Sequence, residues 1–147
     1  MAAEMAQLQA VDPGIGAIAS FVGLVRDNNT VAESHDQVST LTLEHYPGMT
    51  EKVLQEIAEQ AQQRWQLQGA TVIHRVGELQ VGDPIVLVLA ASRHRQDAFD
   101  ACQYMMDILK TEAPFWKKET LPDGSDRWVD SRDSDSRAAE RWQADEQ

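Results

Sequence analysis

Pro84-Ile85-Val86-Leu87-Val88-Leu89-Ala90-Ala91-Ser92 is the stretch on which the fold turns. It shows no polar alternation, so it predicts a strand buried on both faces rather than one with a wet side. The next segment has a different period. Ala98, Phe99, Ala101, Cys102, Met105, Met106 and Leu109 share one broad apolar face, which predicts a helix capped by Ser92 and running to about Glu112, where Pro114 stops it. Upstream, a turn at Gly82-Asp83 joins this strand to another over Ala70 to Leu79. Before that, Val53, Leu54, Ile57, Ala58, Ala61 and Trp65 keep i, i+3, i+4 spacing, giving an amphipathic helix from an N-cap at Thr50 to near Gly69. Val38 to Tyr46 alternates, with Leu41 and Leu43 on one face. Gly14 to Arg26 reads as a buried strand in which Gly23 marks a bulge or a close approach. Downstream, Pro122-Asp123-Gly124-Ser125 is a turn between Phe115 to Leu121 and Asp126 to Val129. The order strand, strand, helix, strand, strand, helix, hairpin predicts an α+β fold with mostly antiparallel sheet.

At 147 residues the chain suits one domain, and beyond Asp130 it turns polar, a tail over 131–147 expected to be frayed or only conditionally helical. No apolar run approaches the roughly 20 residues of a membrane helix. The first ten residues lack the basic and apolar halves of a secretory signal, and the single cysteine, Cys102, has no partner for an internal disulfide. A cytoplasmic setting is the expectation. The net charge of −11 argues against general affinity for nucleic acid or anionic membranes. Yet seven of the 13 Lys and Arg fall between residues 93 and 132, which points to local use on a small anion or an acidic segment.

The centre of that cationic region is Leu109-Lys110-Thr111-Glu112-Ala113-Pro114-Phe115-Trp116-Lys117-Lys118-Glu119, in which lysines are interleaved with aromatic rings. Strand alternation puts Lys117 on the face of Phe115 and Lys118 on the other, so Lys110 and Lys117 are the candidates for an anion pocket. A lysine beside apolar rings can act as proton donor, acceptor or nucleophile. Ser92-Arg93-His94-Arg95 stands at a strand end and helix start, where backbone N–H groups favour an anion. Arg26, leaving a buried strand, suits a bidentate clamp on phosphate or carboxylate. Cys102, on an apolar helix face, is expected to be a packing residue. His35, His45, His74 and His94 show no zinc spacing, and no dinucleotide, P-loop or nucleophile-elbow motif is present.

Five blocks together, Phe21 to Arg26, Leu43 to Met49, His74 to Leu79, Ser92 to Arg95 and Lys110 to Glu119, resemble the large, catalytic subunit of molybdopterin synthase, in order from about Gly14 to Trp142. The resemblance implies an α/β hammerhead-type domain with an additional antiparallel β subdomain. It implies a sulfurtransferase of molybdenum cofactor biosynthesis that converts cyclic pyranopterin monophosphate to molybdopterin. Two sulfurs arrive as a thiocarboxylate on the C-terminal Gly-Gly of a small ubiquitin-like subunit. Two large subunits form a central homodimer, flanked by small subunits in a heterotetramer. Lys110 and Lys117 match the family's pocket lysines. Arg26, His94, Arg95 and Arg132 match residues that bind the pterin and its phosphate, part of them from the neighbouring large subunit, and Phe21 and Met106 match pocket-lining positions. No cofactor or metal is implied. A shorter N-terminus, from which a first edge strand is expected to be missing or supplied differently, and a longer, more acidic loop from Asn28 to Gln37 depart from the family pattern. The competing reading is a non-catalytic module that docks a ubiquitin-like tail in the same pocket.

Overall fold

The computed structural model describes residues 1–27, 38–129 and 133–144; the acidic loop from Asn28 to Gln37 and Arg132 lie outside the described residues. In chain order the elements are α1 (Ala2–Gln9), β1 (Ala17–Leu24), β2 (Thr40–His45), α2 (Met49–Trp65), β3 (Gly69–His74), β4 (Gly77–Gln80), β5 (Pro84–Ser92), α3 (Arg95–Glu112), β6 (Phe115–Thr120), β7 (Asp126–Val129) and α4 (Asp133–Ala144). The strands form two antiparallel sheets. One has three strands in the order β1-β5-β3, and the other four in the order β4-β2-β6-β7. This is the α+β architecture expected, with the four-stranded sheet as the added antiparallel subdomain.

The apolar run at Pro84–Ser92 is the central strand of the first sheet, and both its faces are covered. Val86, Val88 and Ala90 pack against α2 and α3 in the main core, while Leu89 and Ala91 pack with Leu8 of α1. Helix α1 has no counterpart among the predicted elements. It sits so close to β3 that a Cβ on Gly69 would lie 2.6 Å from Leu8 Cδ2, so a larger residue there would have to displace the Leu8 side chain. Gly23 meets both expectations: pairing with β5 shifts register after it, and an added Cβ would come within 2.8 Å of Val86 Cγ1.

Three expectations need correction, and a fourth is narrowed. Ala70 to Leu79 is two strands, because the chain leaves the first sheet after His74 and re-enters the second at Gly77, whose φ of +87° makes the bend. Gly48 at φ +84°, not Thr50, caps α2; its N–H donates to Glu51 Oε2 at 2.6 Å. Thr50 is buried instead, accepting from the Tyr46 N–H at 3.0 Å and donating to the Pro114 carbonyl at 3.2 Å. Helix α3 is capped by the backbone of His94, while Ser92 Oγ ends the strand and accepts from the His94 N–H at 3.4 Å. Finally, of the tail expected to be frayed or only conditionally helical, Asp133–Ala144 forms α4. Ala139 and Trp142, three residues apart on one face, enter the main core, where the Trp142 ring meets Trp65 and Tyr104 edge to face. Trp142 Nε1 donates to Asp107 Oδ2 at 2.7 Å and Arg64 donates to the Trp142 carbonyl at 3.2 Å, so both the indole N–H and the backbone carbonyl are satisfied.

Strand β6 alternates as expected. Trp116 is solvent-facing, and Lys118 lies 4.0 Å from Asp126 and over the Trp128 ring. The opposite face carries Phe115, Lys117 and Glu119. Glu119 is only 1% exposed and accepts from Arg127 Nε at 2.8 Å, across the β6–β7 pairing that sets Lys117 opposite Val129. Removing one partner of such a pair strands the other. Arg127 is 30% exposed and can turn outward, whereas Glu119 cannot. Arg127→Ala is therefore expected to destabilise by about 3 kcal/mol and Glu119→Gln by clearly less. Urea unfolding of both variants decides this; equal losses would mean that burial of the carboxylate is not the controlling term.

Candidate functional site

Between the two sheets, at the C-terminal end of α3, lies a cavity of about 480 Å³, within the range of small-molecule sites. Its walls come from distant segments. The β1 end supplies Phe21 to Arg26, α3 supplies Met106, Leu109 and Lys110, β6 supplies Phe115 and Lys117, and β7 and α4 supply Val129 and Asp135. Local structure sets this geometry. Pro114 ends α3 just after Lys110, and the Thr50 bond to the Pro114 carbonyl fixes where β6 begins, so Phe115 and Lys117 face inward. Phe21, Arg26, Met106, Lys110 and Lys117 thus meet in one cavity.

His94 and Arg95 do not. Both are exposed at the opposite end of α3, about 22 Å from Lys110 at 1.5 Å of rise per residue. Arg132 lies outside the described residues.

His74 is a pocket residue that its sequence context does not reveal, since its spacing to the other histidines speaks only to metal binding. It is the last residue of β3, half-buried, with its ring stacked on Phe115 at 3.8 Å between centroids and 17° between planes. Burial first, then the charges of Lys117 and Lys110, lower its pKa to about 4, although its bond to the Arg75 carbonyl works the other way. The ring is neutral at pH 7. Nothing in the run from Ala70 to Leu79, strand-like throughout, marks the place where the chain passes from one sheet to the other.

Cys102 is buried on α3 and its thiol is pushed up to about 11 by burial, which keeps it protonated and fits packing. Among the described residues no group of three or more His, Cys, Asp and Glu is placed to hold a metal, and no helix is long and apolar enough to cross a membrane.

Comparison with known proteins gives one answer. The family model described as "MoaE protein" matches residues 1–112, stopping just before the strand that carries Lys117. The molybdopterin synthase catalytic subunit of Ralstonia nicotianae is 56% identical over 142 residues, 97% of this chain and 78% of the relative. Among solved structures, molybdopterin cofactor biosynthesis protein E from Burkholderia multivorans superposes with a TM-score of 0.77 at 51% identity, covering 96% of this chain and 88% of that one. The molybdopterin synthase of Staphylococcus aureus does so with a TM-score of 0.75 at 32% identity, covering 82% and 84%. A match over three quarters of the sequence, joined to more than half identity with a relative most of whose length is covered, leaves one assignment: the chain belongs to the MoaE protein family.

Proposed function

We propose that this chain is the catalytic, large subunit of a molybdopterin synthase, a cytoplasmic enzyme acting as one domain over residues 1–147. It takes cyclic pyranopterin monophosphate and installs two sulfurs delivered by the thiocarboxylate tail of a small ubiquitin-like carrier. A central homodimer carries one carrier at each end.

The observation that supports the residue roles is the meeting of Arg26, Lys110 and Lys117 in one cavity with an apolar floor. Both reactants are anions, and three cations on one cavity, Lys117 half-buried and Arg26 and Lys110 exposed at its mouth, draw the two to the same place. Arg26 suits the phosphate, with His94 and Arg95 supplied by the second large subunit and Arg132 completing the group. Phe21 and Met106 form apolar wall for the heterocycle. In each transfer the thiocarboxylate sulfur bonds to a ring carbon and an oxygen leaves that carbon. The acyl–sulfur bond then breaks, with water or a lysine amine taking the acyl group. Negative charge grows on the acyl oxygen and on the departing group, and Lys110 and Lys117 are the groups placed to stabilise it and to give or take the protons.

A docking module would need the same cavity but no chemistry. Incubation with thiocarboxylated carrier and precursor separates the two readings: dithiolene product is expected, and tight carrier binding without product would favour docking alone.

A further inference from the structure

The geometry points to His74 as a positioning residue of this pocket, a neutral imidazole that holds Lys117 through Phe115 and offers Nε2 as a hydrogen-bond acceptor to the lysine ammonium. The inference rests on the synthase reading and adds a residue to it.

Two contacts lock the ring. Nδ1 lies 2.7 Å from the Arg75 carbonyl, which only accepts, so the ring proton sits on Nδ1 and the lone pair on Nε2. One face of the ring lies on Phe115, which shares a strand face with Lys117 two residues on. Because His74 ends β3 and Phe115 begins β6, the stack joins the two sheets at the cavity wall. Among the described residues, the other charged groups lining the cavity are Arg26 after β1, Lys110 on α3, Lys117 on β6 and Asp135 on α4. Three of these four are pure donors. A fixed neutral acceptor among them orients an ammonium without cancelling its charge, which a carboxylate would do.

Magnitude excludes the more obvious role. With a pKa of about 4, the ring at pH 7 is protonated about one time in a thousand, too weak a base to draw a proton from a lysine. Orientation is the role left to it.

Two measurements on the full chain test the inference. His74→Phe keeps a ring on Phe115 but removes Nε2; with carrier and precursor saturating, its single-turnover rate is expected to fall about 10- to 100-fold. Its KM for precursor should stay within about twofold, and its melting temperature should hold, with His74→Asn recovering part of the rate. A fully active His74→Phe overturns the inference, since packing alone would then suffice. The second measurement needs no turnover and no change to the ring. Nitrogen-15 shifts of His74 should report the Nδ1-protonated tautomer down to about pH 5, and Lys117→Ala should move its midpoint upward by removing a facing charge. An unmoved midpoint overturns the inference even if His74→Phe fails to fold. A wild-type enzyme that makes no dithiolene defeats the synthase reading instead, and the His74 titration is then judged on its own.

Discussion

Lys117→Ala should abolish conversion of the cyclic pyranopterin to a dithiolene, lowering the rate at least about 100-fold while the fold stays intact. The expectation comes from where the side chain is. Lys117 is half-buried on the cavity face of β6, and its strand is held independently by pairing with β2 on one side and β7 on the other. Truncating it leaves no core cavity, because the buried cluster of this sheet is made by Val25, Leu41, Leu43 and Leu79 and does not include it. The loss should therefore appear in turnover and not in melting temperature. Lys118→Ala is the matched control: one residue away, on the outer face, set against Asp126 and Trp128, it should keep near wild-type activity. An exposed pair of that kind contributes no more than about 1 kcal/mol. Near-normal turnover by Lys117→Ala with thiocarboxylated carrier would refute the assignment. Equal damage from Lys118→Ala would show that the strand's charge matters and the cavity does not.

That contrast is legible in the sequence because a strand has a period of two, and period is what sequence shows best. Leu41 and Leu43 turn inward, Lys117 and Lys118 part, and the apolar face of α3 goes into the core. The hidden features depend on contacts between remote segments. Helix α1 is a short element whose one buried residue is Leu8, and nothing in its own pattern demands a helix. Its trace is indirect: a strand with two apolar faces requires two covers, and the amphipathic patterns of α2 and α3 supply only one. The split between β3 and β4 is masked by a run that is strand-like throughout, and only the positive φ at Gly77 separates the sheets. Helix α4 is obscured by its charge, since two core residues, Ala139 and Trp142, anchor twelve. His74 escapes for a related reason. Its chemistry depends on a ring from another sheet and on two lysines more than 30 residues away, none of which its own neighbours in sequence announce.

The separation of His94 and Arg95 from the cavity leads to the second strong expectation. About 22 Å along α3 lies between Arg95 and Lys110, beyond the reach of any arginine side chain. If these two residues serve a substrate bound by Lys110 and Lys117, they do so in a neighbouring copy, and two-fold symmetry makes the exchange mutual. Arg95→Ala and Lys117→Ala should each inactivate the homodimer. Mixed and allowed to exchange subunits, the two variants should regain activity. In a mixed dimer one site carries both lesions and the other carries neither, so random exchange restores about a quarter of all sites. A functional pair within one chain gives the opposite result, because every site then holds one lesion or the other and mixing restores nothing. Recovery to about a quarter of wild-type turnover, reached at the rate of subunit exchange, is the outcome expected. A mixture still inactive after exchange has been verified by mass would place the work of Arg95 within its own chain, or remove it from the reaction altogether.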